Sequence, residues 1–291
     1  MTAILSARSI VKSFGGRRWF GAANDKRAVD GVDLEVNEGE TLAIVGESGS
    51  GKSTLARILL GLIQPTSGEV AYQGRPVDGF ASADWMTFRK AVQPIFQDPA
   101  SSLNPRMRVD TTLANVLRRH KLVTPDRLEA EITDLLAAVG LDAAEFHDRY
   151  PHQLSGGQQQ RIAIARAMAV RPRLIIADEP LSSLDMSVQA QILDLLVSLK
   201  ASRNLGLVLI SHDLNVVDAI SDRVMVMYRG QVVEAGPTRQ VLVNPACDYT
   251  RSLLAAKLVA DPHIARTRRQ AMDAARAAAA ISPSNLQGAP Q

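Results

Sequence analysis

The chain alternates short apolar runs with helical patterns of hydrophobic residues. The runs TLAIV (41 to 45), LIIA (174 to 177) and LVLI (207 to 210) have the length and flanks of strands buried on both faces, as in parallel sheets. Residues 187 to 200 place five apolar side chains on one helical face: Val188, Ile192, Leu195, Leu196 and Leu199. Alternation of strand and helix predicts an α/β core.

Two other parts of the chain follow different patterns. The stretch from about 98 to 170 begins with loop-forming residues and continues with helical patterns over 113 to 119, 127 to 139 and 157 to 170, so it is predicted to be a mostly helical insertion. The first 36 residues and 223 to 235 show β-type alternation with glycine. They predict an antiparallel sheet alongside the parallel one.

Composition narrows the class of protein. The chain has 291 residues, 46% of them hydrophobic and 22% charged, a formal net charge of +3 and one cysteine. We expect a soluble globular protein in a reducing compartment, since Cys247 cannot form an intramolecular disulfide and the first residues lack the pattern of a secretory signal. The net charge is too small to indicate nucleic acid as a partner. Every apolar stretch is shorter than the ~18–20 residues that a membrane-spanning helix needs.

Two segments are predicted to lie outside the ordered core. Residues 15 to 27 resemble an extended polar loop. Residues 261 to 291, Ala/Arg-rich from Ile264, are predicted to form a marginal helix followed by disorder, after an ATPase domain over residues 1 to 260. The tail is either a solvated appendage or a contact for anionic lipid.

A glycine-rich loop carries the first chemical motif. TLAIV leads into a loop of the pattern GxxxxGK[ST] and then into the helical pattern TLARILLGL, the strand, loop and helix context that this motif requires. Such a loop holds phosphate mainly by backbone N–H groups and the helix N-terminus. Lys52 would reach the β- and γ-phosphates, Ser53 would ligate Mg²⁺ and Thr54 would add a hydroxyl contact. The predicted nucleotide-binding residues here are Gly46, Ser48, Gly49, Ser50, Gly51, Lys52, Ser53 and Thr54.

A pair of carboxylates follows a second buried strand. Asp178 and Glu179 come directly after LIIA, at the edge of the sheet where open α/β folds bind ligands. Asp178 suits Mg²⁺ and nucleotide binding, and Glu179 suits activation of the water that attacks the γ-phosphate. Taken alone, such a pair is more often a solvated helix start; the phosphate-binding loop favours the functional interpretation.

The segment LSGGQ, residues 154 to 158, completes the pattern. With it the chain resembles the ATP-binding cassette (ABC) ATPases over roughly residues 1 to 256. The resemblance implies an α/β phosphate-loop NTPase core with a mixed sheet, an antiparallel β subdomain and a helical insertion. It also implies that the signature residues Ser155, Gly156, Gly157 and Gln158 cap ATP bound to a second subunit, in a head-to-tail dimer. Physically, a serine and glycine N–H groups at a helix N-terminus form a second anion cradle.

Four further positions follow from the resemblance. Gln97 matches a glutamine that contacts Mg²⁺ or the attacking water and links the nucleotide to the helical insertion. Asp185 matches an aspartate that crosses the dimer interface, and His212 matches a histidine that touches the γ-phosphate. Phe14 matches the aromatic residue that stacks on adenine; Trp19, Phe20 or a role for Phe14 in the core are the alternatives.

Within the family, several phrases resemble the ATPase subunits of dipeptide, oligopeptide and nickel importers, especially the F-type subunit. These are FQDPASSLNPRM, EPLSSLDMSVQAQILDLL and NPACDYTRSLLAA, the last with Cys247 and Asp248 where the subfamily has His-Pro. A lone cysteine cannot hold the iron–sulfur cluster of some relatives. The resemblance implies two permease subunits, a second related ATPase (a heterodimer, with a homodimer as the alternative), an external solute-binding protein and a place on the cytoplasmic face of the membrane.

Two rival functions remain open at this point. One is an ABC ATPase that serves DNA repair or translation, although the chain has one phosphate loop and no sustained heptad pattern. The other is a homodimeric exporter cassette. The solute stays undetermined among peptides, nickel, glutathione and opine-like compounds, because an ATPase of this kind does not contact the cargo.

Overall fold

The computed structural model describes residues 3–15 and 27–260, with side chains up to residue 256. Most of the predicted polar loop at 15 to 27, Trp19, Phe20 and the tail 261–291 lie outside the described residues. The described strands are β1 (Leu5–Ser13), β2 (Arg27–Val36), β3 (Thr41–Val45), β4 (Ser67–Tyr72), β5 (Arg75–Pro76), β6 (Val92–Ile95), β7 (Leu174–Asp178), β8 (Gly206–Ile210), β9 (Arg223–Tyr228) and β10 (Gln231–Pro237).

Helices follow or interrupt these strands. The described α-helices are α1 (Lys52–Leu59), α2 (Ser82–Ala91), α3 (Pro99–Ser102), α4 (Val109–Arg119), α5 (Leu128–Ala138), α6 (Ala143–Phe146), α7 (Gly156–Met168), α8 (Met186–Arg203), α9 (Leu214–Ile220), α10 (Thr238–Val243) and α11 (Asp248–Ala260). Helices α3 to α7 occupy the predicted insertion, where α4 and α5 pack on each other and both pack on α7.

Two sheets form the framework. The larger has the order β10-β9-β3-β8-β7-β6, in which β9, β3, β8, β7 and β6 are parallel and β10 is antiparallel to β9. The smaller is antiparallel with the order β2-β1-β4-β5. The predicted strands at 41, 174 and 207 are confirmed as the adjacent strands β3, β7 and β8. The predicted α/β fold with a mixed sheet, an antiparallel sheet and a helical insertion is likewise confirmed.

One part of the strand prediction is wrong. Residues 223 to 235 do form an antiparallel pair, but the pair belongs to the larger sheet, because β9 lies parallel to β3. The antiparallel sheet instead recruits β4 and β5, residues for which no strand was predicted. Alternation of polar and apolar positions identifies a half-buried strand, whereas sheet membership depends on a partner distant in sequence.

Alternate residues of the buried strands enter two separate cores. Ile175 and Leu207 face the helical insertion and α8, whereas Ile176 and Val208 face α1, α2 and the antiparallel sheet. All four are at most 3% exposed. Burial of apolar surface stabilises a fold by roughly 25 cal/mol per Å². Because these strands are buried on both faces, they give the site a firmly packed support.

Contacts group the chain into two compact units, Met1–Asn244 and Pro245–Gln291. Both sheets lie in the first unit and α11 lies in the second. None of the helices in the described part of the chain combines the length and the apolar character needed to cross a bilayer. The domain boundary at 260 stays a prediction.

Candidate nucleotide-binding and hydrolysis site

Four neighbouring parallel strands bring the predicted phosphate-binding loop and the predicted catalytic residues to one edge of the larger sheet. β3 leads into the phosphate-binding loop, β8 ends before His212, β7 ends at Asp178 and β6 ends before Gln97. The backbone N–H of Glu179 donates to Ile210 O at 3.0 Å, which ties the end of β7 to the end of β8. The carboxyl ends of parallel strands meet at one edge, so residues far apart in sequence converge there.

The phosphate-binding loop is held between the two sheets. Gly51 has φ +105°, and a Cβ there would lie 2.1 Å from Ala28 O of β2; Gly46 has φ +147°, and its Cβ would lie 2.2 Å from Met227 O of β9. The Gly230 N–H donates to Ser50 O at 2.9 Å. Glycine is required at both positions because the neighbouring backbone leaves no room for a side chain.

Lys52 is the first residue of α1 and is only 5% exposed. Its Nζ donates to Gly46 O and Glu47 O, both at 2.8 Å, so the ammonium lies inside the curve of the loop. Burial lowers the pKa of Lys52, and the nearby carboxylates oppose the shift, Glu179 most strongly. A buried cation enclosed by the loop is suited to phosphate oxygens.

Ser53 and Asp178 meet across the same edge. Ser53 Oγ donates to Asp178 Oδ1 at 3.0 Å. Burial raises the pKa of Asp178, the hydrogen bond from Ser53 opposes that shift and the charge of Glu179 adds to it. Mg²⁺ prefers oxygen ligands such as hydroxyl and carboxylate groups. A nearby cation also stabilises the charged form of a buried carboxylate. The residues present therefore fit Mg²⁺.

Glu179 and His212 form the next pair. Glu179 Oε2 lies 3.4 Å from His212 Nδ1, and the His212 side chain is 65% exposed. Glu179 also has φ +47°, an unusual backbone conformation for a residue with a side chain and more so before a proline. Strain of this kind costs about 1–3 kcal/mol and persists where the surroundings enforce it, often at functional sites.

An open cavity of about 830 Å³ lies over these groups. Its lining includes Phe14, Arg27, Ala28, Ser48, Gly49, Gly51, Lys52, Ser53, Thr54, Gln97, Glu179 and Arg229. Phe14 is 59% exposed, which excludes the core alternative, and Lys12 Nζ lies 5.4 Å from its ring centroid. The predicted residues Gly46 and Ser50 shape the loop, and Asp178 and His212 reach the site through Ser53 and Glu179.

The sequence analysis did not identify Arg27, Ala28 and Arg229 as cavity residues. Arg27 and Ala28 begin β2, and Arg229 lies in the turn between β9 and β10, with φ +48°. A positively charged side chain in a tight turn carries no motif of its own. Its position depends on the parallel pairing of β9 with β3, which the sequence did not reveal.

The signature residues lie apart from this cavity, since its described lining includes none of them. Ser155 caps α7: its Oγ accepts from the Gln158 N–H at 3.3 Å, and Gln158 Oε1 accepts from the Ser155 N–H at 2.9 Å. Gly156 begins the helix, and Gly157 is buried against Val188. Ser155 and Gly156 are exposed, so this helix N-terminus is accessible to another molecule.

Asp185 also lies outside the described cavity lining. It caps α8, accepting from the Val188 N–H at 2.9 Å and from Ser187 Oγ at 2.7 Å. These hydrogen bonds lower the pKa of Asp185. The aspartate is therefore a fixed anion at the start of α8.

A phosphate-binding loop, an acidic strand end and a helical insertion with its own anion cradle together define the class of ATP-binding cassette domains. The sequence profile of the family described as ABC transporter matches residues 29–182. This chain belongs to the ABC transporter family and is an ATPase of it.

The relatives identify the branch. The oligopeptide transport ATP-binding protein OppF of Salmonella typhimurium is 45% identical over 256 residues, which cover 87% of this chain and 76% of OppF. The glutathione import ATP-binding protein GsiA of Salmonella paratyphi A is 45% identical over 268 residues, 91% of this chain but 43% of GsiA. Both are named as ATP-binding proteins, OppF of oligopeptide transport and GsiA of glutathione import.

Solved structures agree in fold. The structure of cbiO1 from Clostridium perfringens, part of a cbiONQ complex, matches with TM-score 0.73 and 25% identity, covering 92% of this chain and all of that one. The ATP-binding cassette MJ0796, solved as a dimer bound to ADP and Pi, matches with TM-score 0.69 and 28% identity, covering 81% of this chain and 99% of that one.

Proposed function

We propose that the chain is the ATP-hydrolysing subunit of an importer for peptides or a related small solute. The observation that carries this proposal is the convergence of Lys52, Asp178, Glu179 and His212 at one sheet edge, in a chain 45% identical to OppF over 87% of its length. Neither a role in DNA repair or translation nor an exporter is favoured by these relatives, whose names describe oligopeptide transport and glutathione import.

Substrate binding uses the loop and the aromatic residue. The triphosphate of ATP follows the backbone N–H groups from Gly46 to Thr54, with the Lys52 ammonium on its β- and γ-phosphates. Ser48 and Gly49, which line the cavity, belong to the same cradle. The exposed ring of Phe14 stacks on adenine, and Lys12 above the ring makes that wall electropositive.

Hydrolysis uses the acidic pair. The Glu179 carboxylate accepts a proton from water while the water oxygen attacks the γ-phosphorus and the bond to the oxygen of ADP breaks. His212, in contact with Glu179 Oε2, orients that carboxylate and touches the γ-phosphate. Ser53, Gln97 and Asp178 would hold Mg²⁺, which when bound neutralises charge on the phosphate oxygens.

Completion of the site requires a second cassette. The signature residues Ser155 to Gln158 lie outside the described lining of their own cavity, and Ser155 and Gly156 are exposed. They would cap ATP on a partner in a head-to-tail dimer, with Asp185 at the interface. We propose a heterodimer with a related ATPase; a homodimer is the other outcome of the test below.

The partners are two permease subunits in the membrane, with the helical insertion around Gln97 in contact with them, and an external solute-binding protein. The chain itself would lie on the cytoplasmic face of the membrane as a peripheral subunit. Three positively charged side chains line the described cavity, namely Arg27, Lys52 and Arg229, and we assign their charge to the phosphates of ATP rather than to nucleic acid.

Co-purification tests this assignment. The tagged chain is recovered from gently solubilised membranes of its own host, and the associated proteins are identified by mass spectrometry. We expect two polytopic permeases and a sister ATPase. Recovery of this chain with itself as sole cassette would favour the homodimer. Recovery with ribosomes or DNA-repair factors from the soluble fraction would refute the transport function.

A further inference from the structure

The segment after Glu179 is held by side chains from two helices. From α7, Gln160 Nε2 donates to Pro180 O at 2.9 Å, and from α8, Gln189 Nε2 donates to Leu181 O at 3.0 Å and to Leu184 O at 2.9 Å. A glutamine amide therefore anchors the carbonyl next to the proposed base. The residue before Pro180 is Glu179, whose backbone has the left-handed conformation.

Gln160 is unusual in its own environment. The residue is 0% exposed, and within the described part of the chain its Oε1 has no hydrogen-bond partner. A buried carbonyl oxygen without a donor opposes folding, so optimisation for stability alone would replace this glutamine by an apolar residue of similar shape. The donor half of the amide, aimed at Pro180 O, is what an apolar residue lacks.

Gln160 also lies one helical turn after Gly156, on the same face of α7. Since Gln160 and the capped Ser155 belong to the same helix, a displacement of α7 as a whole would move both. The next contact along this path is Pro180 O, and the one after it is the strained backbone of Glu179. The helix thus connects the anion cradle of this chain with the carboxylate of the same chain.

We propose that Gln160 is a positioning residue for hydrolysis: its amide holds Pro180 O and thereby keeps the Glu179 carboxylate directed at the attacking water, in register with the signature segment of α7. The inference rests on the proposed role of Glu179. It assigns Gln160 no contact with ATP. Its loss therefore impairs turnover and leaves nucleotide binding intact.

The informative variant is Gln160→Met, which preserves the length of the side chain. It removes the unpartnered Oε1 together with the bond to Pro180 O, so the two effects on folding oppose each other and the melting temperature stays close to that of the wild type. Misplacement of a catalytic group by about 1 Å can cost on the order of 100-fold in rate. We expect kcat for ATP to fall by about 10- to 100-fold with the KM for ATP within about twofold of wild type.

Thr112→Val is the matched control. Thr112 is buried in α4, and its hydroxyl donates to the Arg108 carbonyl at 2.9 Å, so the substitution also exchanges a buried donor to a main-chain oxygen for an apolar group of similar shape. Thr112 lies outside the described cavity lining and outside the segment after Glu179. The control is expected to keep kcat within about twofold of wild type.

Steady-state ATP hydrolysis and equilibrium binding of a fluorescent ATP analogue are measured on the complex that co-purifies with the tagged chain, with each substitution made in this chain alone. A reduced kcat with unchanged KM and unchanged binding stoichiometry supports the proposal. An unchanged kcat overturns it, as does a kcat that falls only in proportion to the number of nucleotide-binding sites.

If Gln160→Met does not fold, a second variant tests the proposal. Gln189→Met, at a half-buried position, releases the same segment at Leu181 and Leu184 and must also lower kcat while leaving KM unchanged. Within the same complex, wild-type activity no higher than that of Glu179→Gln would instead refute the role of Glu179 itself.

Discussion

Gly157 of the signature segment is packed so closely that one added methyl group tests the interface between α7 and α8. A Cβ at this position would lie 2.5 Å from Val188 Cγ1, closer than side-chain carbons approach. Valine is branched at Cβ and held in one rotamer within a helix, so it cannot rotate away. Either α7 or α8 must move.

The magnitude follows from two opposing effects. Glycine to alanine within a helix stabilises by about 0.5–1 kcal/mol through the unfolded chain. Overpacking of this kind costs about 1–3 kcal/mol. We therefore expect Gly157→Ala to lower the free energy of unfolding by about 1 kcal/mol, within a range of about 0–2.5 kcal/mol. Val188→Ala alone removes half-buried methyl groups and should cost about 1 kcal/mol.

The double variant distinguishes overlap from a general loss of stability. Val188→Ala makes room for the new methyl group, so the double variant should be more stable than the sum of the single effects by about 1–3 kcal/mol. Urea denaturation followed by tryptophan fluorescence measures all four proteins. In the isolated chain, ATP affinity should remain that of the wild type in each, because neither residue lines the described cavity. Additivity within about 0.5 kcal/mol would refute the reasoning.

Two further predictions concern the acidic pair. Glu179→Gln keeps the shape of the side chain and should lower ATP turnover by at least about 100-fold, the contribution typical of a general base, while ATP binding persists; undiminished hydrolysis would contradict the assignment. Asp178→Asn should stabilise the nucleotide-free protein by roughly 0.5–2 kcal/mol, the usual gain from a stabilising substitution at a functional site, and should therefore raise its melting temperature. Burial raises the pKa of Asp178 above its ordinary value, so the folded state favours the neutral acid, and the stability that this proton contributes is lost as the pH rises through the raised pKa. The advantage of the variant should therefore be largest above the raised pKa and shrink as the pH falls through it; a constant advantage would refute this cause.

Local patterns were sufficient for much of this fold. The runs that form β3, β7 and β8 are almost wholly apolar because helices and a second sheet cover both faces. The sequence shows this burial because polar and apolar residues do not alternate along these runs. The phosphate-binding loop was equally predictable, since its glycines and Lys52 are adjacent in sequence. The acidic pair gained meaning only from that loop.

Contacts between distant segments were not predictable. Arg229 reaches the cavity because β9 lies beside β3, and the donor from Gln160 reaches a carbonyl twenty positions later because α7 lies against the segment after β7. A glutamine within a helical pattern resembles a solvated one. Only its complete burial distinguishes it, and burial depends on how the helices pack.

The phosphate-binding loop is fixed by contacts with both sheets, and this has a consequence for synthesis of the chain. The ribosome completes the entire GxxxxGKS motif long before it makes β9 and the Gly230 turn. A nascent chain that ends before residue 223 therefore has the motif but lacks the Met227 carbonyl and Gly230 N–H that fix the loop between β2 and β9. ATP would then bind only after β9 has joined the sheet, and it would stabilise that folded state by mass action.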